Sequence, residues 1–102
     1  MKNTYPVVMT QGEKFVVVFI PDFKIDTQGK NIAEALEMAR DAIGLMGIDM
    51  EDDGEEIPAA SDMEEVKKEA AAGAIFSLVE VDFEEYRRQN EKKDFDRPWK
   101  KM

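Results

Sequence analysis

At 102 residues, 43% hydrophobic and 36% charged, the chain fits one domain with a packed core and is too apolar to be disordered. Fourteen basic residues against 23 acidic ones give a net charge of -9, which argues against phosphate backbones as ligands and favours a basic partner. There is no Cys and no His, so disulfides, thiolate zinc sites, Cys nucleophiles and His-based acid–base chemistry are excluded.

The apolar run 5–9 and the fully apolar run 15–20 flank Gln11-Gly12-Glu13, which predicts a β-hairpin. Pro21-Asp22 ends the second strand, because Pro lacks the N–H that a ladder needs. A short third strand is expected at 23–27, turning at Gly29. Ile32, Leu36, Ala39, Ile43 and Met46 then recur with a 3.6-residue period, the stripe of an amphipathic helix. Asn31 and Glu34 form a capping box at its start, and Gly47 is its expected stop. Residues 49–56 hold six acids and read as an exposed loop. Ser61 and Glu64 signal a second, short helix over 62–72, mostly exposed. A fourth strand follows at 74–81, and Asp82 with Glu85 caps a last helix from 83 to about 92.

The fold class predicted is α+β: a β-meander, a long helix packed on the sheet, and a returning fourth strand, in the main order β-β-β-α-β-α. The return is expected to lie parallel to the first strand through a right-handed crossover. In the second strand Phe15, Val17 and Phe19 alternate with Val16, Val18 and Ile20, so both faces are apolar. Either the two larger helices cover one face each, or one face stays partly open for a partner or a second copy. A symmetric homodimer is expected on that ground.

Carboxylates are the one plentiful reactive group. Asp49, Glu51, Asp53 and Gly54 match the start of a calcium loop, but its twelfth position is Ala60 where a bidentate Glu is required. The solvated acidic loop is the better reading, and no metal or cofactor is expected. The first strand carries no carboxylate for a two-metal nuclease. Arg87 to the chain end has seven basic residues against three acidic, with Phe95 and Trp99 interleaved. This reads as a basic flexible tail over 94–102 rather than a nucleic-acid site. No apolar run approaches a membrane span, and residues 1–6 hold no leader-like core, so a cytoplasmic protein without membrane contact is expected.

Several segments together resemble the HicB family of antitoxins. They are Tyr5-Pro6-Val7-Val8, the run from Phe15 through Ile20-Pro21-Asp22-Phe23, and Thr27-Gln28-Gly29. The helix from Ile32, the acidic Asp53-Gly54-Glu55-Glu56-Ile57-Pro58, and Leu78-Val79-Glu80-Val81-Asp82-Phe83 with Glu84 to Arg88 complete the match. The resemblance covers residues 5–93, and the expected domain is 1–93. It departs at Lys24-Ile25-Asp26, one residue shorter than the family's Pro-Gly-Cys-like turn. It implies a partial RNase H-like fold without nuclease activity, and a function that is not enzymatic: binding and occluding a small basic mRNA-cleaving toxin, HicA. Many members add a C-terminal DNA-binding domain, which is expected to be absent here, so no direct nucleic-acid binding is expected. On this reading the acidic surface meets the toxin, with Glu34, Glu37, Asp41, Asp49, Glu51, Asp52 and Asp53 as candidate contacts. The alternative is an orphan regulatory module of the same fold with no toxin partner.

Overall fold

A computed structural model of the protein describes residues 2–94. The elements are β1 (Lys2–Gln11), β2 (Val16–Ile20), β3 (Ile25–Gly29), α1 (Ile32–Asp52), α2 (Met63–Glu69), β4 (Ile75–Asp82) and α3 (Phe83–Asp94). The α+β class, the meander and the long helix on the sheet are as expected. Residues 95–102, with Trp99 and most of the expected tail, lie outside the described residues.

The four strands lie in the order β3-β2-β1-β4, and every pairing is antiparallel. The expectation of a parallel return is therefore wrong, and α2 explains why. The chain leaves α1 near Tyr5, whose hydroxyl donates to the Pro58 carbonyl at 2.8 Å. Ser61 is then held at the Asp22 end of β2 by its backbone N–H, at 3.0 Å, and by its hydroxyl. From there α2 runs beside Val8 and Phe19, and β4 starts with Ile75 opposite Met9. This extra traverse of the sheet reverses the direction in which β4 enters.

Alternation sorts the strands onto two faces. Tyr5, Val7 and Met9 of β1, Val16, Val18 and Ile20 of β2, and Val79 and Val81 of β4 are all buried. They form the core with Ala35, Ala39 and Ile43 of α1 and Phe83 of α3. Tyr5 is its aromatic centre, edge-on to Phe23 at 5.1 Å and to Phe83 at 6.3 Å. The α1 stripe is rotated from the expected one. Ile32 is 42% exposed, Leu36 and Met46 are half-buried, and the alanines face the sheet.

Gly47 does not end α1, and the acids to Asp52 are helical rather than looped. A Cβ at Gly47 would lie 2.3 Å from the Phe83 ring, and one at Gly44 would lie 2.7 Å from the Tyr86 ring. The two glycines form a notch that seats α3. The true stop is Gly54, at φ +78, with Gly54 N–H bonded to the Glu51 carbonyl and Glu55 N–H to Met50, each orphan carbonyl satisfied as in a Schellman motif. The capping residue of α2 is Asp62 rather than Ser61, since Ser61 is committed to Asp22. At α3, Asp82 accepts from the N–H groups of Glu84 and Glu85, as its spacing predicts.

Candidate protein-interaction surfaces

Two surfaces stand out. The first is the acidic one expected from composition. Glu34 serves the helix start, its N–H donating to Asn31 Oδ1 at 2.8 Å and its carboxylate accepting from Lys30 N–H at 3.1 Å. Asp41 accepts from the Tyr86 hydroxyl. Glu51 and Asp52, on the last turn of α1, are each 3.0 Å from a different guanidinium nitrogen of Arg87. That guanidinium is held above its ordinary pKa, first by its bond to Glu51 and then by that to Asp52. Four of the seven candidate acids thus have work inside the fold. Glu37, Asp49 and Asp53 are exposed, with no side-chain partner among the described residues. No cluster of three or more metal-ligating side chains occurs among the described residues.

The second surface is the sheet face opposite α1. Because α3 packs on α1, both long helices cover the same face. Of the two coverings expected from sequence, the described residues show the one with an open face. Phe15, Val17 and Phe19 are 40%, 39% and 41% exposed, and Leu78 is 58% exposed. The registers Val8–Phe19, Val8–Phe76 and Pro6–Leu78 place Phe19, Phe76 and Leu78 on one face across β2, β1 and β4, with Val17 on the same side of β2. Among the described residues, only α2 lies on this side. Its Val66 is buried, and the Lys67 ammonium sits 5.8 Å from the Phe76 ring centre. Between α2 and the sheet runs a groove of about 400 Å³ with Val8, Phe19 and Val66 along it and Glu65 and Glu69 on its wall.

Sequence reading found the apolar alternation of β2 but assigned no contact role to Phe15, Val17, Phe19 or Leu78. The groove had no local signal, since it needs α2 laid over β1 and β2. No described helix is long and apolar enough to cross a membrane.

A family model described as a HicB-like antitoxin of bacterial toxin–antitoxin systems matches residues 5–98. No curated protein sequence matches the chain. Among solved structures, a toxin–antitoxin complex from Streptococcus pneumoniae contains a chain 25% identical to this one. That match covers 84% of this chain and 73% of the other, with a TM-score of 0.67. The antitoxin HicB of Burkholderia pseudomallei is 26% identical with a TM-score of 0.70, the match covering 78% of this chain and 62% of that one. Its N-terminal domain alone is 29% identical, again at 0.70, with 78% of this chain and 98% of the domain covered.

Proposed function

Because the chain belongs to the HicB-like antitoxin family of bacterial toxin–antitoxin systems, we propose that it neutralises a small basic mRNA-cleaving toxin of the HicA type. It does so by binding, without catalysis of its own, and by covering the toxin's catalytic face. The observation that carries this reading is the family match over residues 5–98. The charge of -9 supports it, since an acidic body steers a cationic partner into encounter. Within residues 1–86 the imbalance is larger, 7 basic against 20 acidic. Glu37, Asp49 and Asp53, whose charges are not matched within the described fold, are the strongest steering candidates of the seven acids. Glu34, Asp41, Glu51 and Asp52 contribute less, because their charges already serve caps and pairs. The site of action is the cytoplasm, where mRNA is available.

The test is co-expression with the small basic protein of the adjacent gene, followed by pull-down and an mRNA-cleavage assay. A stable complex in which cleavage stops is the expected result. Two folded proteins that ignore each other would overturn the reading in favour of an orphan module.

A further inference from the structure

We propose that the toxin is gripped on the open sheet face, with a lysine or arginine of the toxin seated in the groove between α2 and the sheet. This rests on the antitoxin reading above. Affinity comes mainly from apolar surface removed from water, and aromatic side chains carry most of it. Phe15, Val17, Phe19 and Leu78 are the large apolar side chains that this face leaves to solvent. The acidic end of α1, by contrast, offers few apolar atoms, and much of its charge is already paired with Arg87.

The groove's chemistry selects the occupant. Val8, Phe19 and Val66 match the aliphatic stem of a long basic side chain, and Glu65 and Glu69 await its charged head. Glu65 also touches Lys68 at 3.3 Å, an exposed pair that a partner's cation displaces at little cost. Glu69 has no side-chain partner among the described residues. A second copy of this chain brings a net charge of -9 to an acidic wall, whereas a basic toxin brings the complementary sign.

The experiment is titration calorimetry of the full chain against the basic protein of the adjacent gene, in four versions. These are the wild type, Val17→Ser/Phe19→Ser, Glu65→Gln/Glu69→Gln, and Glu37→Gln/Asp49→Asn/Asp53→Asn. The face pair is expected to weaken binding by about 100-fold. The groove pair should weaken it by about tenfold and flatten its salt dependence. The acidic triple of Glu37, Asp49 and Asp53 should change the equilibrium constant by less than about threefold. Equal binding by the face pair, or loss of binding confined to the acidic triple, overturns the proposal. If the face pair fails to fold, hydrogen exchange on the wild-type complex decides: protection over 15–19 and 63–70 supports the proposal, and its absence there overturns it. A wild-type chain that does not bind at all overturns the antitoxin reading itself. Two results in the isolated chain would give the face to another occupant and also overturn the proposal. One is a dimer by sedimentation that the face pair abolishes. The other is a shift in emission of Trp99, the chain's single tryptophan, caused by the face pair.

Discussion

Lys24 holds a left-handed backbone, φ 55, in the turn between β2 and β3, where its N–H donates to the Ile20 carbonyl at 2.8 Å. An L-residue with a Cβ is penalised there by about 1–2 kcal/mol, and Gly escapes that penalty while losing about 0.5–1 kcal/mol of chain entropy. Lys24→Gly is therefore expected to raise unfolding free energy by about 0.5 kcal/mol in urea melts, and Lys24→Val to lower it by at least about 1 kcal/mol. Gly47 shows the opposite constraint. Alanine favours a helix interior by about 1 kcal/mol, but its methyl would meet a Phe83 ring that the core holds on all sides. Overpacking of this kind costs about 1–3 kcal/mol, so after the propensity gain Gly47→Ala should lower stability by up to about 2 kcal/mol. Asp82 is a titratable counterpart. The Glu85 N–H, first, then that of Glu84 and the Lys2 ammonium hold its carboxyl below the ordinary range. A depressed native pKa adds stability above the unfolded-state pKa and loses it as pH falls through the native one. Asp82→Asn is thus expected to show a shallower fall in Tm than the wild type as pH drops through the carboxylate range.

Among the elements, β1, β2, β4 and α1 were legible because runs of β-branched residues and a 3.6-residue period are local signals, whereas β3 lies two residues later than expected, with Gly29 paired to Val16 rather than in a turn. What escaped was set by partners distant in sequence. The expected stripe held Ala39 and Ile43 correctly but weighted Ile32 and Leu36, whereas α1 also approaches the sheet through Ala35, a small residue that no hydrophobic scale emphasises. Gly44 and Gly47 look like helix breakers until Tyr86 and Phe83 fill the space above them. The acids of α1 were legible as a charged cluster, but nothing near them in sequence reveals that Arg87 would bridge Glu51 and Asp52. The direction of β4 depends on where the 53–74 connection travels, which Ser61 and Asp22 decide across 39 positions. This assigns α3 a definite anchor. Phe83→Ala is expected to cost about 3–5 kcal/mol, because it empties the site between Tyr5 and Gly47. Arg87→Ala should cost less than about 1 kcal/mol, since its two ion pairs are largely solvated. Urea titration of both variants separates the hydrophobic from the electrostatic share of the α1–α3 contact.

For the whole molecule, a net charge of -9 predicts how fast it meets a cationic partner rather than how long it stays. Stopped-flow association with the proposed basic toxin should slow by roughly tenfold as salt rises from about 0.02 M to about 0.5 M, with dissociation little changed. A dissociation rate that carries the salt dependence would move the charges from steering into the contact itself. The one-sided placement of α1 and α3 has a further consequence, for descent. Val16, Val18 and Ile20 answer to the interior, while Val17 and Phe19, their neighbours on the same strand, answer to the outside. After gene duplication, the outward set can drift toward a new partner while the inward set stays under unchanged selection. Sister copies in one genome can thereby become mutually blind to each other's toxins without either passing through an unfolded ancestor.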